Sequence, residues 1–200
     1  MRKGWIARHI AARVARTVAM TAAVTAAMAT LSALPPIAST ANAAPLTNVP
    51  GTASASDTDA LFLRRAGTAG AMEIEASRIA EVRASSPEVK AFAKKMIEDH
   101  QAVDAQLKQI AGKLGIQVPE SPLEAQQRDV RALEQLNGAA FDAAYIRKIG
   151  VDAHQDAVKL FRDAADKANH SEVKAMALRT LPSLRHHLEM ANALNDKLGK

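Results

Sequence analysis

The chain has no cysteine, one tryptophan, one tyrosine and four phenylalanines among its 200 residues. Without a thiol it can form no disulfide, carry no lipid on an N-terminal cysteine and offer no thiolate to a metal. Any metal site must therefore be built from nitrogen and oxygen donors. A surplus of charge is also missing once the N-terminus is set aside. Of 26 basic residues against 21 acidic ones, Arg2, Lys3, Arg8, Arg13 and Arg16 stand in the first 43 residues, which hold no acid; the rest carries 21 of each sign. With Trp5 in that same stretch, the remainder lacks both the basic face and the stacking aromatics that a nucleic-acid binder uses. Residues 57–200 also lack alternating β-branched runs, and Ala, Leu, Glu, Lys and Arg dominate them, which predicts an all-α fold.

The basic N-terminus leads into an uncharged Ala/Val/Thr/Met run over residues 18–34, then Pro35-Pro36 and Ala41-Asn42-Ala43. A basic head, an apolar middle and an A-x-A site predict a signal peptide over residues 1–43, cut after Ala43, and a periplasmic or secreted protein. The run is short and rich in Ala and Thr, which makes a poor stable span, so no integral membrane segment is expected after cleavage. Residues 44–56, small and polar with two prolines, read as a flexible linker, and residues 57–200 suit one helical domain.

Apolar periodicity divides that domain into four long helices and a short one. The first covers residues 57–84 with Asp57 as its N-cap and a seam of Phe62, Ala66, Ala69, Glu73, Ala76 and Ala80. Gly67 and Gly70 interrupt it, which suits close approach of a neighbouring helix or marks a weak helix. The second covers residues 86–115, capped by Ser85 or Ser86, with Pro87 in its first turn and Glu88 placed for a capping box. Its stripe is Val89, Phe92, Met96, Val103, Leu107 and Ile110. A short helix opens at the cap-and-box signal Ser121-Pro122-Leu123-Glu124 and ends near Leu136, before the breaker Asn137-Gly138. The third long helix, residues 139–167, carries Phe141, Tyr145, Val151, Val158 and Phe161 inward. The last, capped by Asn169 with Glu172, has Val173, Met176, Thr180, Leu184 and Ala191 on its stripe and a kink expected at Pro182.

An internal repeat supports this layout: the run from Glu88 to Ala93, EVKAFA, recurs from Glu172 to Ala177 as EVKAMA, each time after a long helix and a Ser/Asn turn. Two helical hairpins, 57–114 and 139–198, joined through the short helix, predict an antiparallel four-helix bundle.

Each long helix also puts one ligand-capable residue where an apolar one belongs. These are Glu73, His100, His154 and His187, and each lies about 14 to 17 residues into a helix of roughly 28 to 30, near mid-bundle at 1.5 Å per residue. A carboxylate and three imidazoles converging there could hold a divalent transition metal, Zn, Cu, Fe or Mn, with Asp99, Asp104 and Asp152 near enough in sequence to orient imidazoles. The same residues could instead be hydrogen-bonded core groups that fix helix register. His170 and His186 read as solvated. A di-iron centre would need Glu-x-x-His pairs, whereas Ile97, Val151 and Leu184 stand three before the histidines. No spacing suggests a Ser/His/Asp hydrolase.

The segments Phe62-Leu63-Arg64-Arg65-Ala66 and Gly70-Ala71-Met72-Glu73, Ser86 through His100, and Leu181-Pro182-Ser183-Leu184-Arg185-His186-His187-Leu188 resemble the secreted bacterial domain-of-unknown-function family 4142. The resemblance spans about residues 57–198. It implies a ferritin-like bundle of the cell envelope, a label that often extends to the outer membrane, and no established activity. Two readings follow: an envelope protein that sequesters or senses a metal, or a non-catalytic structural or stress-related interaction module, self-association through the bundle included.

Overall fold

The computed structural model describes residues 56–199, so the expected signal peptide and all but the last residue of the expected linker lie outside the described residues. Six α-helices follow in order: α1 Asp57–Arg83, α2 Pro87–Lys113, α3 Glu124–Glu134, α4 Gly138–Tyr145, α5 His154–Lys167 and α6 Ser171–Leu198. A π-helical segment, Ile146–Ala153, joins α4 to α5, so the third long helix is continuous but wider-wound in its middle. α1 packs on α2, α2 on α6, α6 on α5 and the π segment, and these back on α1, closing an antiparallel ferritin-like four-helix bundle of two hairpins; α3 lies against α1.

The helix ends depart from the local caps expected. α1 is capped by Ser56, not Asp57: its hydroxyl accepts from the Asp59 N–H at 3.2 Å while the Asp59 carboxylate accepts from the Ser56 N–H at 3.2 Å. Ser86 caps α2, so Glu88 falls one position short of the box and reaches Lys197 at 2.6 Å instead. Leu123 rather than Ser121 precedes α3, and Gln126 takes its N–H at 2.7 Å. α6 begins after His170 with no side-chain cap of its own, and Glu172 pairs with Lys113 at 2.8 Å.

Two buried aspartates close the turns instead, each from the opposite hairpin. Asp59 of α1 accepts from the Asn169 N–H at 3.0 Å and the His170 N–H at 3.1 Å, in the turn before α6. Asp142 of α4 accepts from the Ser85 N–H at 3.1 Å, the Ser85 hydroxyl at 2.6 Å and the Ser86 N–H at 2.9 Å, in the turn before α2. The ion pairs Glu88–Lys197 and Glu172–Lys113 are likewise exchanged between the repeats. The bundle is pseudo-twofold, and its symmetry contacts run between the halves.

The interior is two apolar cores rather than one. Phe62, Leu63, Leu107, Ile110, Phe161, Val173 and Met176 fill one end. Phe92, Met96, Phe141, Tyr145, Ile146 and Ile149 fill the other. Along every long helix the changeover falls where a polar residue is buried: Glu73 in α1, His100 in α2, His154 at the start of α5 and His187 in α6. Gly150 explains part of the packing beside this boundary, since a Cβ there would stand 2.8 Å from the Ala191 Cβ. Gly67 is required by Val118 of the α2–α3 connection, which occupies the space a Cβ would need, rather than by a neighbouring helix; a Cβ at Gly70 would meet nothing within 4 Å.

Candidate metal centre

The three histidines reach the middle of the bundle because each replaces an apolar residue on an inward stripe, and all three are buried. His154 is 0% exposed, His187 1%, His100 5% and Glu73 2%. The imidazole centroids form an equilateral triangle, 5.4 Å on each side. One ring nitrogen from each lies within 4.8 Å of those of the other two. Nitrogens bound at 2.0–2.1 Å in a tetrahedral site stand roughly 3.3 Å apart, so small rotations of the rings about Cα–Cβ and Cβ–Cγ would bring them to a common metal.

Every imidazole is held through its other nitrogen. His100 Nδ1–H donates to Glu73 Oε2 at 3.0 Å. His154 Nδ1–H donates to the Ile149 carbonyl at 2.9 Å. His187 Nε2–H donates to Asp99 Oδ2 at 2.7 Å, and Asp99 is fixed in turn by Lys95 at 2.9 Å. The nitrogens left over, His100 Nε2, His154 Nε2 and His187 Nδ1, are buried without a partner, as is Glu73 Oε1, 3.8 Å from His154 Nδ1. An imidazole tied down by a carboxylate or carbonyl on one side and bare on the other is the arrangement of a metal-ligating histidine and its orienting group.

Electrostatics sort the four groups. Burial pushes the His187 imidazole down to about 4, against the pull of Asp99 and with the added repulsion of His100 and His154. Burial likewise depresses His154, although Glu73 opposes it. Burial also works against charging His100, but the Glu73 carboxylate outweighs it and raises His100 above the ordinary histidine value. Glu73 shows the converse: burial would raise it, yet His100 and His154 hold it below the usual carboxylate range. Burial thus favours the neutral form of His154 and His187, while the Glu73 carboxylate favours the charged form of His100.

All four residues expected from the sequence thus come to one level. His100, His154 and His187 form the nitrogen triad, while Glu73 stands behind His100 with one oxygen free. Asp99 orients an imidazole as expected. Asp104 is occupied by Lys108 at 2.8 Å, and Asp152 is exposed, so neither does. His186 is exposed, as expected; His170 is half-buried in the turn. Sequence reasoning missed the Ile149 carbonyl and the π segment that carries it; Gly150, a glycine inside an apolar helical run, was the one local mark of an irregular turn. Ser77, one turn beyond Glu73, donates to the Glu73 carbonyl at 2.6 Å and accepts from the Tyr145 hydroxyl at 2.7 Å, which pins α1 against α4 beside the site. A cavity of about 20 Å³, room for one water, adjoins Glu73 and His100 on the α1 flank.

Two solved structures share the fold. A DUF305 fragment from Deinococcus radiodurans superposes with a TM-score of 0.63 at 16% identity, covering 72% of this chain and 98% of its own. A DUF305 protein from Streptomyces coelicolor, whose name carries the word secreted, gives a TM-score of 0.61 at 16% identity, covering 71% of this chain and 92% of its own. Comparison with functionally curated proteins finds no match. The profile of the family described as Domain of unknown function (DUF4142) matches residues 44–194, most of the chain, and the protein belongs to that family.

Proposed function

We propose that the protein is an exported metal-binding bundle that holds one divalent transition metal ion, Zn, Cu, Fe or Mn, between His100, His154 and His187, and serves to sequester or sense it in the cell envelope. The observation that carries this reading is the set of three buried, unpartnered ring nitrogens on three helices, each ring fixed from behind. Leaving such a nitrogen dry and unpaired costs about 1–3 kcal/mol, and three of them at one point is a cost that a shared metal removes. Neutral imidazoles suit all four candidate metals, and the absence of cysteine disfavours a soft thiolate site. Glu73 orients His100 and supplies the charge that offsets the cation, with Oε1 still free as a donor.

Export is supported by the A-x-A leader, by the name of the Streptomyces relative and by the lack of any described helix long and apolar enough to cross a membrane. The competing reading, a structural or stress-related envelope module, draws on the His100–Glu73 and His187–Asp99 bonds, which would fix register without metal.

Metal analysis of the purified mature chain separates the two. The metal reading expects close to one ion per chain, affinity that falls as pH drops below about 6 because protons compete for the imidazoles, and loss of binding in the His100→Ala/His187→Ala double variant with helical content retained. A chain that purifies metal-free, with a melting temperature indifferent to added Zn, Cu, Mn or Fe, refutes it. So does undiminished binding by the double variant.

A further inference from the structure

The free ring nitrogens of the triad have almost no accessible surface, so a cation reaches them only when part of the wall moves. What holds each ring decides where that movement costs least. Freeing His100 leaves the Glu73 carboxylate buried without a donor, and freeing His154 takes a donor from the Ile149 carbonyl inside the π segment. His187 is different. Its partner Asp99 has a side chain 30% exposed and keeps Lys95 at 2.9 Å, so on losing the ring it gains water and stays paired. Of the three groups that hold the rings, Asp99 is thus the one that a hydrated ion in solution can touch. Its carboxylate is also a ligand type that divalent ions accept.

We infer that Asp99 is the loading point of the metal centre and His187 its door. An incoming hydrated divalent cation replaces Lys95 on the Asp99 carboxylate, the His187 ring lets go of Asp99 and swings aside, and the ion passes inward to the free nitrogens. The ring then returns with Nδ1 to the metal and Nε2–H to Asp99, so the carboxylate that admits the ion also latches the ring behind it. The inference rests on the metal reading above. Only coordination and hydrogen bonds change hands: the ion exchanges water for carboxylate oxygen and then for ring nitrogen, and His187 Nε2 keeps its proton. The cavity beside Glu73 and His100 is the competing way in. It touches neither His154 nor His187, and the carboxylate on its wall, Asp104, is paired with Lys108 and holds no ring.

Helix α2 carries its own control. The Lys108–Asp104 pair has the same i,i+4 spacing as Lys95–Asp99, at 2.8 against 2.9 Å and with carboxylates 27% and 30% exposed, but only Asp99 bonds a ring. The test mixes the metal-free mature chain with cobalt(II), whose visible absorption reports its ligands, and takes association and dissociation rate constants by stopped flow at fixed pH and salt. Asp99→Asn still offers an acceptor to His187 Nε2–H but has lost the charge, so its association rate constant should fall about tenfold or more, whereas Asp104→Asn should stay within about twofold of wild type. Lys95→Met should load severalfold faster and Lys108→Met should not, a gain that no folding defect can imitate. Equal effects of the two aspartate variants reduce Asp99 to long-range attraction and overturn the inference. So does an Asp99→Asn variant that changes only the dissociation rate, where a carboxylate that merely orients His187 would act. Gly70→Leu adds bulk at the cavity from a position where a Cβ meets no neighbour; if it slows loading while Asp99→Asn does not, the entrance lies on the α1 flank and the inference fails. A wild type that takes up neither cobalt nor zinc is a different failure, that of the metal reading itself.

Discussion

Removing the Asp59 carboxylate should destabilise the bundle from a point far from the metal centre. In Asp59→Ala the Asn169 and His170 N–H groups lose acceptors at 3.0 and 3.1 Å, and Ser56 loses its reciprocal partner at the start of α1. Hydrogen bonds to a charged group contribute about 1.5–3 kcal/mol each, and a lost capping interaction about 1 kcal/mol. Because these donors are only partly buried and recover some hydration, the net loss should be about 3 kcal/mol, a large share of the 5–15 kcal/mol typical of a domain. At this chain length that corresponds to a fall of roughly 10 °C in melting temperature. Asp142→Ala should match it, since it frees the Ser85 and Ser86 donors in the same way. The two sites cap opposite ends of α1, whose 27 residues span about 40 Å, so the double variant should lose the sum. Urea unfolding followed by circular dichroism measures all three. A loss below about 1 kcal/mol in either single variant would show that the turns hold without the carboxylates and refute the exchanged capping.

Acid should weaken the metal-free protein between about pH 6.5 and 4. His187 is depressed to about 4, so the unfolded chain takes up its proton first and stability falls as pH drops through that window, by at most about 3 kcal/mol from this group. His154, also lowered, acts in the same direction, and lowered Glu73 adds to the loss only as pH falls below its ordinary value of 4.5, whereas the raised His100 opposes them because its contribution grows as pH falls; denaturant midpoints flat across this range would contradict these assignments. Gly150→Ala, favourable by about 1 kcal/mol in an open helix, should instead destabilise by about 1–3 kcal/mol, because the new Cβ meets Ala191 at 2.8 Å; a gain in melting temperature would argue against the close π-segment packing.

The helices and their inward faces were legible because a 3.6-residue period needs only local sequence, and the EVKAFA/EVKAMA repeat located the two hairpins. Glu73, His100, His154 and His187 stood out for the same reason, each breaking an apolar stripe. The caps were misread at Glu88, Asn169 and Glu172 because the groups that close the turns before α2 and α6, Asp142 and Asp59, lie 56 and 110 residues away and leave no trace in the turn sequence. The π segment escaped for a related reason: α and π turns differ in which carbonyl an N–H reaches, not in which residues line the inner face. Nor could spacing tell that Glu73 would face His100 with one oxygen and leave the other bare.

The crossing of the end contacts between halves bears on what kind of object this bundle is. Asp59 serves the second hairpin's turn and Asp142 the first's, and the Glu88–Lys197 and Glu172–Lys113 pairs cross in the same sense. A hairpin on its own would leave its turn donors and end charges bare, whereas two identical hairpins about a twofold axis would satisfy all of them. The chain is thus laid out as a dimer fused into one polypeptide, with the α3 connection as the tether. The two ends of the repeat are alike, and its two middles differ. Where a symmetric pair would face the centre with like residues, this chain has Glu73 in one half and His154 in the other, and so a single acidic flank.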